Sequence, residues 1–282
     1  MTAAAGYQIE AALEKAMKDH AVKYVLIVEG SVPLKDDGVY CYVGGKKAID
    51  TLTRVAEKAA AVIAIGSCAS WGGIPSASPN PTGAVGVAQA LPGKTVVTLP
   101  GCPANPYNLL GTVLQFATFG TLPALDEKGR PKFAYGRVIH DDCPRRAHFD
   151  NGRFAQAFGD AGHREGWCLY KLGCKGPETY NNCSTLTFGD VGASSWPVGM
   201  GAPCFGCSEQ GVGYTVGLHS PSRVVNLTPP AFFTEAFPGK EGTTPGTSAL
   251  AAGVVGLAVG AAGVALLNSM GKTDGDEDGK GD

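Results

Sequence analysis

The sequence predicts an α/β chain: a doubly wound parallel sheet, then a mostly irregular cysteine-bearing domain, then a C-terminal hydrophobic helix. Three observations predict it. Strand-like and helix-like runs alternate over roughly the first 120 residues. Beyond them periodicity fades, and Gly, Pro, Asn and Cys dominate through Val212. A run made only of Ala, Gly, Val and Leu then fills Ala249–Leu267.

The elements follow in order. Ile9–Met17 reads as an amphipathic helix, with no signal-peptide pattern ahead of it. Tyr24–Glu29 (YVLIVE) is a short apolar run suited to a buried parallel strand. Ala48–Ala60 reads as a helix, Ala61–Ile65 (AVIAI) as a second strand, and Gly83–Leu91 as the next helix. Thr95–Leu99 (TVVTL) is a third strand, followed by a helix over Tyr107–Phe119. This βαβαβ order implies right-handed crossovers and a flavodoxin-like sheet. Glu29-Gly30, Gly66-Ser67-Cys68 and Pro100-Gly101-Cys102 each follow a strand. They therefore share the carboxyl edge of the sheet, where ligands of open α/β sheets bind.

The domain reading is 1–134 for the flavodoxin-like part and 135–212 for the cluster-binding part. A Pro/Ser/Thr-rich linker covers 213–246, a transmembrane anchor helix 247–270, and a charged tail 271–282. Segment 135–212 has too little apolar periodicity to bury a core alone, so metal–thiolate bonds are expected to fix it. At the helical rise, Ala249–Leu267 spans about 28 Å, close to a bilayer core. Gly256 and Gly260, extended backward by Ala252, form a G-x-x-x-G face for close helix packing. The competing reading of this run is a buried helix of a soluble domain. The net charge of -2 supplies no basic field for nucleic acid.

Eight of the nine cysteines, with one histidine, carry the chemistry. His140-x-x-Cys143 precedes Cys168-x5-Cys174, then Cys183, then Cys204-x-x-Cys207; Cys68 and Cys102 lie upstream. Thiolates in such numbers suit soft iron sites, and cluster ligation is their common joint use. A disulfide framework is the plain alternative, disfavoured by the spacings and the odd count. A zinc knuckle at Cys204-x-x-Cys207 lacks a second pair at suitable spacing. Cys41 has no ligand role in this reading and stands as a buried structural thiol.

The chain resembles one family closely: the small, electron-transferring subunit of nickel–iron hydrogenases. The resemblance runs from about residue 3 to Gly211 and rests on joint motifs. Among them are Val28-Glu29-Gly30-Ser31-Val32-Pro33, Pro100-Gly101-Cys102-Pro103-Ala104-Asn105-Pro106 and His140-Asp141-Asp142-Cys143-Pro144-Arg145. Others are Cys168-Leu169-Tyr170-Lys171-Leu172-Gly173-Cys174-Lys175-Gly176-Pro177, Tyr180-Asn181-Asn182-Cys183 and Pro203-Cys204-Phe205-Gly206-Cys207-Ser208-Glu209.

The resemblance implies a row of iron–sulfur clusters. His140, Cys143, Cys168 and Cys174 match the ligands of a distal 4Fe–4S cluster. Cys183, Cys204 and Cys207 match a medial cluster, of the 3Fe–4S type because the position after Trp196 is Pro197. Cys68 and Cys102 match two ligands of a proximal 4Fe–4S cluster. The family's other two proximal ligands belong to an upstream C-x-x-C segment behind a twin-arginine export signal, so a truncated N-terminus is expected. Gly73 stands where oxygen-tolerant relatives carry an extra cysteine. Glu29 is placed to contact a partner subunit, tune the proximal cluster or bond local backbone.

The implied function is electron relay between a nickel–iron site on a large subunit and a membrane acceptor, with hydrogen oxidised on that partner. No catalytic residue is expected on this chain. The expected partners are the large subunit, the membrane and a cytochrome b, with the folded domains on the periplasmic face of the cytoplasmic membrane. The alternative is a standalone iron–sulfur carrier or assembly module with no catalytic partner.

Overall fold

The computed structural model describes residues 5–187 and 196–228. At its centre three parallel strands, β1 (Val25–Glu29), β2 (Ala61–Ile65) and β3 (Val96–Leu99), lie side by side in chain order. Ile27 stands opposite Ile63, and Ile63 opposite Val97. β2 is apolar throughout and β3 apolar but for the buried Thr98, because both faces of the sheet are covered. Helix α1 (Tyr7–Asp19) precedes the sheet, and α2 (Ala48–Glu57) joins β1 to β2. On one face Leu52 and Ala56 of α2 pack on Val62, Ala64 and Val96. On the other, Leu109 and Val113 of the helix over Pro106–Phe119 pack with Tyr135 on Ile63, Val97 and Leu99. The period of two along each strand delivers alternate residues to these two cores. Among the described residues no further strand pairs with the sheet's edges, so the parallel core is seen without the reversal of strand order that a doubly wound sheet carries.

The segment predicted as a helix over Gly83–Leu91 is different. Ala84–Val85 pairs antiparallel with Val32–Pro33, and only Val87–Ala90 is helical. Two contacts decide this. The Asn80 side chain accepts from the Ala84 N–H at 2.7 Å and donates to the Ala84 carbonyl at 3.0 Å, holding that residue extended. Gly86 presses against the next turn, where a Cβ would meet the Ser70 carbonyl oxygen at 2.4 Å. Helix α2 also stops at Glu57, short of Ala60, because the Ala60 N–H donates to the Tyr24 carbonyl and starts the β2 pairing.

Past Pro131 the chain runs in short turns, chiefly Ile139–Asp142, Arg146–Asp150, Tyr170–Leu172 and Gly176–Glu178. These surround a third core of Ile139, Ala155, Leu169, Leu172, Trp196 and Val198, completed by Cys143, Cys174, Cys183 and Cys204. The cysteines are thus part of the core itself. Side chains stitch this region to the sheet. Asn108 and Asn182 exchange side-chain hydrogen bonds at 3.1 and 2.9 Å, and the Trp71 indole donates to the Ser208 carbonyl at 3.2 Å.

No helix among the described residues is long and apolar enough to cross a membrane. The predicted anchor at 247–270 and the charged tail at 271–282 lie outside the described residues, as does most of the linker at 213–246.

Candidate metal centres

His140, Cys143, Cys168 and Cys174 line one cavity with about 320 Å³ of empty space. His140 sits on the single turn Ile139–Asp142, which the Ile139 N–H ties to the Thr179 carbonyl at 2.8 Å. Phe149 packs edge-on against the imidazole, ring centres 4.4 Å apart. Cys168 is held by a bridge to Phe154. Cys174 follows Gly173, whose φ of +89° leaves no space for a side chain: a Cβ would meet His219 Cα at 2.5 Å. Three thiols and one imidazole are therefore brought to one cavity from three separate segments.

Cys183, Cys204 and Cys207 line a second cavity of about 360 Å³ with Trp196, Pro197 and Phe205. Pro197 contributes ring carbons to the wall and no ligating atom. Cys102 also borders this cavity. Ile139 lines both cavities, so the two candidate centres are neighbours.

Cys68 opens helix α3 (Gly66–Trp71) at the carboxyl end of β2, and Cys102 follows β3. Ser67 zips the two loops: its N–H donates to the Gly101 carbonyl at 2.9 Å, and its Oγ accepts from the Gly101 N–H at 3.0 Å. The same hydroxyl donates to the Cys207 carbonyl, tying the strand-end pair to the second cavity. Glu29 is exposed at the end of β1. Burial pushes the Cys68 thiol upward, and the Cys102 and Glu29 charges add to that rise. Gly73 has no space for a cysteine: a Cβ there would lie 2.5 Å from Cys68 Sγ and 2.9 Å from its Cα. Cys41 is half-buried and borders neither cavity.

All nine cysteines are free thiols, so no disulfide framework forms. Among the described residues no three His, Cys, Asp or Glu side chains converge tightly enough to hold one metal ion. His140, Cys143, Cys168 and Cys174 instead share the lining of one cavity, which a polynuclear group can occupy. Burial pushes Cys143, Cys168 and Cys183 up to about 12 and Cys207 to about 11. A metal that binds these sulfurs as thiolates therefore displaces their protons. Burial, helped by the Arg146 charge, pushes His140 down to about 3, leaving the neutral imidazole that ligates metals. Its Nε2 is buried without a hydrogen-bond partner, a costly state that a bound group relieves by engaging the ring. The donor set fits iron–sulfur clusters.

Sequence reasoning missed the shell that holds these ligands. Glu209, two residues past Cys207, accepts from Arg130 at 2.5 Å, Lys128 at 2.7 Å and the Tyr180 N–H at 3.0 Å. Arg130 also pairs with Asp126 at 2.7 Å. Burial works against the Arg130 charge, but the Glu209 and Asp126 carboxylates outweigh it and raise its pKa. Behind His140, the fully buried Arg146 bonds Asp150 at 2.9 Å and the Leu227 carbonyl at 3.0 Å. The only sequence signal for Glu209 was its place in the Cys204–Glu209 motif; Arg130 had none.

Residues 135–218 match the C-terminal family model of the NiFe/NiFeSe hydrogenase small subunit. Residues 2–116 match the model for the NADH ubiquinone oxidoreductase 20 Kd subunit. The chain is 57% identical over 229 residues to the Hydrogenase-2 small chain of Escherichia coli (strain K12), covering 81% of this chain and 61% of that protein. It is 50% identical over 211 residues to the uptake hydrogenase small subunit of Azotobacter vinelandii, covering 75% and 58%. A solved structure of the recombinant NiFeSe hydrogenase from Desulfovibrio vulgaris Hildenborough aligns with a TM-score of 0.67 at 35% identity, covering 74% of this chain and 78% of that one. The chain spans about three fifths of the length of the curated relatives it matches.

Proposed function

The chain belongs to the small-subunit family of nickel–iron hydrogenases, and on that premise we propose that it relays electrons from hydrogen oxidation on a large subunit to a membrane acceptor. One observation supports the reading: the candidate ligands fall in neighbouring places of the fold. Cys68 and Cys102 lie at the strand ends, Cys102 borders the second cavity, and Ile139 is shared by the second and first cavities. A row of adjacent redox centres is what stepwise electron transfer through a subunit needs.

Iron–sulfur clusters, when bound, supply one-electron redox chemistry. The residues divide the work of holding them. His140, Cys143, Cys168 and Cys174 would hold a distal 4Fe–4S cluster. Cys183, Cys204 and Cys207 would hold a medial 3Fe–4S cluster, with Pro197 in the same lining. Cys68 and Cys102 would give two ligands to a proximal 4Fe–4S cluster. Ile139, Leu172, Trp196 and Val198 are buried in one core with four of the candidate cysteines. The hydrogen chemistry would belong to the partner large subunit. We further propose that 247–270 anchors the complex, that a cytochrome b accepts the electrons, and that the folded part faces the periplasm.

The test separates relay from catalysis. In the purified heterodimer, His140→Ala should slow dye reduction strongly while hydrogen/deuterium exchange at the partner's site persists. Equal loss of both would make His140 a folding residue. A standalone carrier, the second reading from the sequence, would purify as a monomer with its clusters intact.

A further inference from the structure

Lys175 follows the distal candidate ligand Cys174 and is completely buried. Its backbone N–H donates to the carbonyl of the medial candidate ligand Cys204 at 2.7 Å. Its own carbonyl accepts from Thr179 Oγ1 at 2.6 Å, and that hydroxyl lies 3.9 Å from Cys204 Sγ. The residue is thus seated against both candidate centres. Its Nζ donates to the carbonyls of Gly173 at 3.1 Å, Leu218 at 3.2 Å and Ser220 at 3.2 Å. Three acceptors match the three protons of an ammonium, whereas a neutral amine has two. The three carbonyl oxygens make a seat that an ammonium fills.

That charge has no ionic partner. Among the described residues no carboxylate pairs with Lys175; the buried Glu209 is engaged by Lys128 and Arg130, and Asp141 by Arg146. Carbonyl dipoles satisfy its hydrogen bonds but carry no net charge. An isolated cation in a protein interior is strongly unfavourable unless an anion lies close by.

We propose that Lys175 is a built-in positive charge whose counter-ions are the thiolate-ligated groups on either side of it, and that it raises the reduction potentials of the medial and distal centres. This rests on the relay reading above. Reduction adds negative charge to a centre, so a fixed cation nearby stabilises the reduced state more than the oxidised one. Burial keeps the interaction strong and insensitive to salt. The cation is held in place by Leu218 and Ser220, so the segment just past the last cysteine takes part in setting potentials.

The experiment uses the full heterodimer with two variants, Lys175→Gln and Lys175→Arg. Iron content and midpoint potentials are measured, the latter by redox titration followed by electron paramagnetic resonance. Lys175→Gln keeps N–H donors without the charge. It should shift the oxidised-to-reduced ratio of at least one of the two centres tenfold toward oxidised, about 59 mV lower for a one-electron couple. Lys175→Arg should stay near the native values. Loss of iron in Lys175→Gln but not in Lys175→Arg also supports the proposal, since charge would then be needed to hold the anionic groups. Unchanged potentials with full iron in Lys175→Gln overturn it. So do equal potential shifts in both variants, or loss of iron from both, which would make Lys175 a packing residue. A native complex with no clusters at all would instead sink the relay reading, and this assignment with it.

Discussion

Pro197 lines the second cavity together with Cys183, Cys204 and Cys207. Its ring cannot ligate iron, so Pro197→Cys should add the missing thiolate. An oxidised 3Fe–4S signal in electron paramagnetic resonance should then be replaced by 4Fe–4S behaviour at lower potential. An unaltered signal in a variant that binds its full iron would mean that position 197 does not face the cluster. Glu209 and Arg130 make a second prediction at this scale. Their side chains are 5% and 4% exposed and lie 2.5 Å apart. Glu209→Ala leaves a buried guanidinium short of a partner and should cost about 3 kcal/mol or more. Replacing both with apolar residues should cost less than the sum of the single changes, as a double-mutant cycle on thermal or denaturant unfolding would read. Strict additivity would mean that the pair is not coupled.

Helix α4 (Pro106–Phe119) carries one covering face of the sheet and, through Asn108, a link to Asn182 beside Cys183. Its start is built by Asn105, whose Oδ1 accepts from the Tyr107 N–H at 3.0 Å while its Nδ2 donates to the Leu186 carbonyl at 2.8 Å. Asn105→Ala removes the cap and a tie to the cluster-binding region together. The expected loss is about 1–2 kcal/mol of stability, visible as a lower unfolding temperature. A loss within a few tenths of native would show that the cap is dispensable. The second element-scale prediction concerns Ala249–Leu267. Deleting 247–282 should move the complex from the membrane to the soluble fraction while dye-linked activity survives. A full-length complex that already fractionates without detergent would end the anchor reading.

At the scale of the whole molecule, the described residues belong to one unit, with the cysteine-containing core packed against the sheet's carboxyl edge. The strands were legible as short apolar runs and the longer helices from their alternation with those runs, both local properties of the chain. The Gly83–Leu91 segment was misread because Asn80 and the close approach of Gly86 to Ser70 override local helix propensity. By itself the sequence determined the parallel α/β class, the inventory of candidate sulfur and imidazole ligands, and the lack of a ligating side chain at Pro197. Each is a matter of residue type and short spacing. Only the tertiary structure decided that Cys102 borders the same cavity as Cys183, Cys204 and Cys207, and that Ile139 lines both cavities. It alone decided that Glu209 meets Arg130, 79 residues away, and that Lys175 lies buried with no carboxylate among the described residues paired to it. Those facts depend on contacts between distant turns, and no periodicity or motif spacing in a chain encodes which distant turns will meet.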